Sequence, residues 1–243
     1  MRDIKELIEN SETYHTVLYQ KVFESKKNTV AYVLIEGKPR ILKWYVPGFI
    51  RNMENEYRIL KKGSSHVHMP AVHTKDTENH VLVMDYIPGR NLCDVITDEQ
   101  LSLKEKKKIL ELAAGWFSLF HTFFKTPEGF QIRGDPNVKN FILSHRHVIY
   151  GVDFEESRPG KPIEDIAGFC ASLLSTNPMF TKEKFELCTD FIAAYSKSVK
   201  WTLEKVNEEV AYALLEKIQW RPEQEEILRK FATKIRTDGL KGR

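Results

Sequence analysis

The hydrophobic pattern changes along this chain, and the change constrains the fold more than any other feature. Up to about residue 87, apolar residues occur in short runs rich in Val, Ile, Leu, Tyr and Phe, separated by turn-forming segments. Such runs are typical of β-strands. From Ser102 onwards the apolar residues recur at intervals of three and four, which is the period of an amphipathic helix. The pattern predicts an α+β fold, in which a β-rich lobe is followed by an α-rich lobe with a cleft between them.

The predicted β-rich lobe is a small antiparallel sheet with one helix packed on it. After a short N-terminal helix, we expect strands over 16–25, 29–37, 39–46 and 80–86, a weaker strand over 69–75, and the packed helix over 49–62. In the second part we expect helices over 103–124, 163–174, 182–198, 201–220 and 222–237, and two short strands over 140–143 and 148–152. The division between lobes is predicted at residues 87 and 88, giving ranges 1–87 and 88–243.

Composition excludes several classes of protein. A chain of 243 residues with 42% hydrophobic residues can bury a core as one large domain or two small ones. A net charge of +3 does not favour a nucleic-acid partner. No apolar run is long enough to span a bilayer, and the charged N-terminal segment does not resemble a secretory signal, so we expect a cytoplasmic protein. Three widely spaced cysteines fit neither a disulfide framework nor a zinc ribbon.

Three polar residues in the middle of the chain indicate chemistry. Asn140 follows Asp135 by five residues, and Asp153 follows Asn140 by thirteen. A loop and a tight hairpin would bring the two carboxylates and the amide together. Oxygen ligands of this kind suit a hard cation such as Mg²⁺. Phosphoryl transfer needs such a cation, together with a carboxylate that orients the attacking hydroxyl. The alternative reading is a turn-rich hairpin, since Asp and Asn favour turns.

These residues resemble the protein-kinase-like superfamily, in particular its aminoglycoside phosphotransferase and choline-kinase-like branch. Asp135 and Asn140 match the kinase pattern D-x-x-x-x-N, and Asp153-Phe154-Glu155 resembles the D-F-G turn. The resemblance implies a bilobal protein-kinase-like fold, ATP and Mg²⁺ as cofactors, Asp135 as the catalytic base, and Asn140 and Asp153 as metal ligands.

The resemblance extends to the expected nucleotide site. Lys43 lies near the end of the third predicted strand, as does the family lysine that reaches the α- and β-phosphates. Its expected partner is Glu56 on the following helix, with Glu54 as the alternative. The segment from Asp85 through Tyr86 to Ile87 resembles the hinge, whose backbone groups would hold the adenine.

The segment expected to cover the phosphates, residues 23–29, contains no glycine. Ser25, or a neighbouring lysine, is therefore expected to assist the backbone there. Glu155 occupies the last position of the D-F-G-like turn, as in choline-kinase-like enzymes.

Three further residues near these motifs have competing interpretations. Asp165 is either a brace for the catalytic-loop backbone or a helix N-cap. His121 is expected to be a buried histidine with satisfied hydrogen bonds. Arg133 could contact substrate, form a salt bridge or be exposed.

The sequence predicts an ATP- and Mg²⁺-dependent phosphotransferase that acts on a hydroxyl of an aminoglycoside-like, choline-like or sugar-like small molecule. Only eleven residues separate Asp153 from Asp165, with no room for the longer segment on which peptide kinases hold their substrates. Two alternatives stay open. One is a compact atypical Ser/Thr protein kinase with a protein substrate. The other is a nucleotide-binding pseudokinase or scaffold.

Overall fold

The computed structural model describes residues 8, 14, 16–23 and 27–240. These residues form two compact units. The first contains the described residues up to Ser65, together with Met69–Ile87 and Asp153–Glu156. The second contains His66–His68, Pro88–Val152 and the described residues from Ser157 onwards. The predicted functional division into a nucleotide-binding lobe and a catalytic lobe at residue 87 stays a prediction.

The first unit is an antiparallel sheet of five strands with one helix. The strands are β1 (Leu18–Phe23), β2 (Thr29–Ile35), β3 (Lys38–Trp44), β4 (Val72–Asp76) and β5 (Val81–Asp85). Their order in the sheet is β1-β2-β3-β5-β4. Helix α1 (Ile50–Gly63) follows a 3₁₀ turn at Pro47–Phe49 and packs against β4 and β5.

Alternation of side chains explains the core of this sheet. Successive side chains of a strand point to opposite faces, so residues two apart share a face. Ala31 and Val33 of β2 are accordingly both fully buried, and they pack with Leu42, Val81 and Val83. Burying this apolar face is the main favourable contribution to the stability of the unit.

The second unit is mainly helical. Its helices are α2 (Leu92–Ile96), α3 (Leu103–Phe123), α4 (Pro162–Leu174), α5 (Lys182–Ser198), α6 (Val206–Glu216) and α7 (Glu225–Asp238). Two small sheets join them, one with the order β6 (Gly89–Asn91), β8 (Phe141–Ser144), β9 (Ile149–Gly151), and one pairing β7 (Phe130–Ile132) with β10 (Arg158–Gly160). Within the described ranges, no helix is long and apolar enough to cross a bilayer.

Aromatic side chains form the core of the second unit. Helix α3 begins with a capping box, in which Ser102 accepts from the amide of Glu105 and the Glu105 carboxylate accepts from the amide of Ser102. Along one face of α3, Phe117 meets Phe141 and Phe169 with ring centroids 5.0 and 5.4 Å apart. This packing holds α3 and α4 around the loop that carries Asp135.

The predicted α+β class, with its antiparallel sheet followed by helices, is confirmed. One predicted helix is too long. The range 201–220 is helical only over Val206–Glu216, because Lys205 has a left-handed backbone with φ of 52° and a 3₁₀ turn follows Glu216. Strands β6, β7 and β10 and helix α2 were not predicted, since each has only three to five residues. The predicted N-terminal helix falls mainly on residues outside the described ranges.

Candidate active site

In the first unit, Lys43 lies among three carboxylates. Its Nζ is 2.7 Å from Oε2 of Glu56, 2.6 Å from Oδ1 of Asp153 and 3.0 Å from Oε2 of Glu155. Lys43 is 5% exposed. Burial by itself would lower the pKa of Lys43, but the negative charges of these carboxylates raise it well above its ordinary value. The residue is therefore held as an ammonium ion.

Helix α1 places Glu56 rather than Glu54 against Lys43. Met53, Glu56 and Leu60 are buried on one face of the helix, at spacings of three and four residues. Glu54 lies on another face, where its Oε2 is 2.6 Å from Nζ of Lys75. Of the two glutamates left open by the sequence, the structure selects Glu56.

Both oxygens of Glu56 have partners. Oε2 accepts hydrogen bonds from Lys43 and from the hydroxyl of Tyr45, and Oε1 accepts from the backbone amide of Phe154 at 3.0 Å. The carboxylate thereby connects strand β3 to the segment that carries Asp153. Tyr45 was not identified from the sequence, because a tyrosine after a buried strand is ordinary core composition.

Asp153 is the member of this carboxylate cluster best able to hold a cation. Single oxygens of Glu56, Asp153 and Glu155 all lie within 4.8 Å of one another, an all-oxygen set of the kind that Mg²⁺ takes. The side chain of Asp153 is 39% exposed, whereas those of Glu56 and Glu155 are 1% and 7% exposed. Its backbone is left-handed, with φ of 65°, a conformation that costs energy for a residue other than glycine.

Glu155 occupies the glycine position of the D-F-G pattern, and its side chain is hydrogen-bonded to the turn before β2. Its Oε2 accepts a hydrogen bond of 2.6 Å from Nδ2 of Asn28, and its backbone carbonyl accepts from Nδ2 of Asn55 at 3.0 Å. Burial raises the pKa of Glu155, and the charge of Asp153 adds to the effect, while Lys43 opposes it. Asn28 was also missed by the sequence analysis, since an Asn beside a turn needs no further explanation.

The predicted hinge follows strand β5. The backbone amide of Asp85 donates to the carbonyl of Ala71 at 3.0 Å, so this N–H group is already used within the sheet. The prediction that backbone groups of Asp85, Tyr86 and Ile87 hold adenine stays a prediction. The ring of Tyr86 packs against that of Tyr32 with centroids 4.6 Å apart. Ser25, the predicted phosphate-loop residue, lies outside the described residues.

In the second unit, Asp135 and Asn140 are brought together by a loop. Nδ2 of Asn140 donates to Oδ2 of Asp135 at 3.0 Å, across a 3₁₀ turn at Val138–Asn140. The side chain of Asn137 caps this turn by accepting from the amide of Lys139 at 3.1 Å. Asp135 is exposed and Asn140 partly so. The loop thus presents a carboxylate and an amide oxygen within one short segment.

Asp165 braces this loop. Its Oδ2 accepts from the amide of Arg133 at 2.7 Å and lies 3.0 Å from Nε2 of His121, and its Oδ1 accepts from the amide of Gly134 at 3.2 Å. The N-cap of α4 is Lys161, so the brace interpretation of Asp165 is the one that holds. His121 is fully buried, and its Nδ1 lies 2.8 Å from the Tyr195 hydroxyl, as expected of a histidine with satisfied hydrogen bonds.

Of the three roles considered for Arg133 from the sequence, the structure excludes exposure. Arg133 is fully buried, its Nη2 donates to the carbonyl of Val152 at 2.6 Å, and its guanidinium lies over the ring of Phe141 at 4.7 Å. It joins the start of the loop that carries Asp135 to the end of strand β9.

Two glycines allow the loop to take this shape. Gly134 has φ of 80°, a backbone conformation that residues with a side chain rarely adopt. Gly168 of helix α4 lies against Pro136, and a Cβ atom there would be 2.6 Å from the proline Cγ. Helix α4 can therefore approach the residue next to Asp135 only because position 168 has no side chain.

A cavity of about 600 Å³ adjoins Asp135 within the second unit. One side is formed by the loop and the start of α4. The other is formed by α6 and the turn after it, which contribute Glu209, Tyr212, Glu216, Lys217 and Trp220. Trp220 was expected from the sequence to be core or substrate wall, and Lys217 was not among the candidate residues. No sequence signal links Lys217 to Asp135, because the two are far apart in the chain.

The structure thus brings Lys43, Glu56 and Asp153 together in the first unit, and Asp135 and Asn140 together in the second. The family model described as the ABC1 atypical kinase-like domain matches residues 51–175, just over half of the chain. The match includes Glu56, Asp135 and Asn140. No curated protein has a sequence that matches this chain significantly.

Three solved structures to which the fold of this chain is similar are a choline kinase and two antibiotic phosphotransferases. Choline kinase LicA from Streptococcus pneumoniae has a TM-score of 0.61 and 16% identity, with 98% of each chain covered. The streptomycin–ATP–APH(2″)-IIa ternary complex has a TM-score of 0.62 and 14% identity, covering 94% of this chain and 96% of that one. Macrolide 2′-phosphotransferase MphH from Brachybacterium faecium has a TM-score of 0.61 and 11% identity, covering 90% and 91%. At such identities the likeness shows the fold alone, whereas the family match over residues 51–175 confirms the predicted protein-kinase-like superfamily.

Proposed function

The chain belongs to the ABC1 atypical kinase-like domain family, and from this premise we propose that it is an ATP- and Mg²⁺-dependent phosphotransferase. The reaction is transfer of the γ-phosphate to a hydroxyl of a small molecule, of the aminoglycoside, choline or sugar type. The observation that carries the proposal is the contact of Lys43 with both Glu56 and Asp153. The ammonium is buried, is fixed by a glutamate of the helix and also contacts a partly exposed carboxylate. This arrangement suits the binding of a nucleoside triphosphate.

In this proposal Lys43 binds the α- and β-phosphates. Glu56 keeps the ammonium in place. Without this contact the long lysine side chain would populate several rotamers, and the binding of the nucleotide would have to offset the entropy lost in selecting one of them. Strand β3 and helix α1 position the two side chains, so the phosphate-binding charge is fixed before the nucleotide arrives. Such preorganisation lowers the cost of stabilising the charge that develops during transfer.

Asp153 and Asn140 are the proposed Mg²⁺ ligands, and their carboxylate and amide oxygens fit the preference of this ion. When bound, Mg²⁺ supplies charge neutralisation of the phosphates. Lys43 also contacts Asp153, so that the phosphates and the metal ligand are held by one ammonium.

Asp135 is the proposed catalytic base. It accepts the proton of the acceptor hydroxyl as that oxygen attacks the γ-phosphate. Asn140 orients the carboxylate through its hydrogen bond to Oδ2. Asp165 positions the backbone of the loop and does not touch the reacting atoms.

Adenine is proposed to bind along the hinge. Because the amide of Asp85 is used within the sheet, the backbone groups left for this role are the Asp85 carbonyl and those of Tyr86 and Ile87. Ser25 remains the proposed hydroxyl donor to the phosphates.

Two measurements test the function. The melting temperature should rise with ATP and Mg²⁺ together, because a ligand that binds only the folded state stabilises it. Phosphate transfer should then be followed across hydroxyl compounds and a protein substrate, with Asp135→Asn and the control Asp238→Asn, an exposed aspartate at the end of α7. Transfer that Asp135→Asn leaves unchanged would refute the catalytic role of Asp135.

A second candidate is a nucleotide-binding protein without catalytic activity. It is favoured by the contact of Lys43 with a third carboxylate, Glu155, which places a further negative charge beside the proposed phosphate site. It is also favoured by the absence of glycine from residues 23–29. This candidate predicts a nucleotide-dependent rise in melting temperature with no transfer to any acceptor.

A further inference from the structure

The cavity beside Asp135 contains a charged side chain that the proposed chemistry does not use. Lys217 lies in the 3₁₀ turn after α6 and lines the same cavity of about 600 Å³ as Asp135. Within residues 27–240, its ammonium forms no salt bridge with any carboxylate. It is therefore a cation directed at the cavity without a fixed counter-ion among those residues.

The surroundings of Lys217 favour a bound anion. Burial lowers the pKa of Lys217 to about 8, and the charge of Arg221 adds to this effect, while Asp135 and Glu216 oppose it. The side chain is thus mostly charged at neutral pH yet poorly hydrated. A partly desolvated charge gains from a hydrogen-bonded partner of opposite sign.

Two of the other charges that line the cavity compensate each other, and a third lies elsewhere on its wall. Nη2 of Arg158 is 2.8 Å from Oε2 of Glu164, so these two charges compensate each other. The negative charge of Glu216 raises the pKa of the Tyr212 hydroxyl, which lies on the same wall. Glu209 lies two turns before Lys217 along α6, so an anionic group is repelled from that end and attracted to the Lys217 end.

The rim of the cavity offers surface for a carbon skeleton. Trp220 is 62% exposed and Tyr212 is 56% exposed, although both are large aromatic side chains. Aromatic rings of this kind combine a wide apolar face with a polar edge, which suits the faces of polyols and sugars.

We propose that the acceptor is a hydroxyl compound that carries an anionic group, a carboxylate or a phosphate, and that Lys217 binds this group while Asp135 faces the hydroxyl. The proposal rests on the phosphotransferase function, because that function makes the cavity beside Asp135 the acceptor site. It narrows the acceptor classes, since a cationic acceptor would place a positive charge near Lys217. Among the sugar-like compounds it selects sugar acids and sugar phosphates.

The test measures binding to the full chain by calorimetry without nucleotide, so that it does not depend on transfer. The probes share one skeleton and differ in charge: gluconate, glucose 6-phosphate, glucose and glucosamine. We expect at least one anionic probe to bind about tenfold more tightly than glucose, and glucosamine to bind no better than glucose. Comparison of the two anionic probes then tells whether the site takes a carboxylate or a phosphate.

Variants connect this selectivity to Lys217. Lys217→Met should remove the preference for the anion, about tenfold in affinity, and Lys217→Arg should retain it. Lys230→Met, at an exposed lysine of α7, is the matched control and should bind as the unaltered chain does.

Two results would overturn the proposal: no binding of either anion at millimolar concentration, or an anion preference that survives Lys217→Met. Failure of the proposed function gives a different pattern. In that case anion binding persists and depends on Lys217, but no acceptor is phosphorylated in the presence of ATP and Mg²⁺.

Discussion

Nζ of Lys43 lies 2.7 Å from Oε2 of Glu56, although a second glutamate, Glu54, is available two residues earlier on the same helix. Glu56→Gln removes the charge that fixes the ammonium. We expect a loss of activity of about 100-fold, because a displacement of about 1 Å at a phosphate-binding group is that costly. Steady-state kinetics with Glu54→Gln as the matched control will check this, and equal effects of the two variants would contradict the assignment.

Glu155 places a negative charge beside the proposed phosphate site. Glu155→Gln keeps the size of the side chain and its ability to accept from Asn28, but removes the charge. Since two like charges repel across a few ångströms, we expect ATP to bind about fivefold more tightly in the absence of Mg²⁺. Titration calorimetry measures this affinity, and Glu78→Gln, at an exposed position between β4 and β5, is the control. Weaker binding by Glu155→Gln would show that the carboxylate does not oppose the nucleotide.

Asp165 is 1% exposed and accepts from two backbone amides of the loop that carries Asp135. In the unaltered protein the two carboxylate oxygens of Asp165 accept from backbone N–H groups. In Asp165→Asn one of these oxygens is replaced by an NH2 group, which cannot accept. We expect the free energy of unfolding to fall by about 3 kcal/mol, because one partner of a buried network is removed. Urea unfolding followed by circular dichroism measures this, with Asp238→Asn as the control. An unchanged midpoint would rule out the bracing role.

Gly168 permits the contact between α4 and Pro136. In Gly168→Ala the new Cβ atom would be 2.6 Å from the proline ring, so that the loop or the helix must shift. Overpacking of this kind costs about 1–3 kcal/mol, and it should displace Asp135. We expect kcat to fall more than the affinity for ATP, whereas Gly115→Ala in α3, with nothing near its Cβ position, should be tolerated.

The pKa of Lys217, lowered to about 8, predicts how anion binding depends on pH. Below pH 8 the lysine is protonated and binds the anion, and above pH 8 it loses its charge. Affinity should therefore fall as pH rises through 8, by at most about tenfold per pH unit. Calorimetry with the preferred anionic probe from pH 6 to pH 9.5 checks this.

Lys217→Arg is the control, because a guanidinium stays protonated throughout this range. If anion binding by the unaltered chain and by Lys217→Arg depended on pH in the same way, a group other than Lys217 would be responsible for the dependence. The charged groups that face Lys217 or line the cavity with it are Asp135, Arg158, Lys161, Glu164, Asp165, Glu209, Glu216 and Arg221.

Much of the fold could be predicted from the sequence because the signals involved are local. The strands up to residue 85 and the helices α1, α3, α4 and α5 follow from the periodicity of apolar residues, which reflects which face each element buries. The short strands β7 and β10 carry too few residues for a period to show. The helix predicted over 201–220 failed at Lys205, because its apolar residues gave no indication of a left-handed backbone.

The residues of the candidate site could also be identified from local signals, but their chemical roles could not. The spacing of Asp135, Asn140 and Asp153 and the strand position of Lys43 were sufficient to identify the candidate residues. Their assigned chemical roles stay predictions until the variants are measured.

The sequence by itself determined the class of fold, the family resemblance and the candidate residues of the site, because these depend on local periods and on motifs with fixed spacing. Only the tertiary structure decided that Glu56 rather than Glu54 meets Lys43, that Asn28 contacts Glu155, and that Lys217 shares a cavity with Asp135. Each of these contacts joins residues that are remote in the chain or depends on which face of a helix is buried. Packing of the whole chain sets such contacts, and no local pattern encodes them.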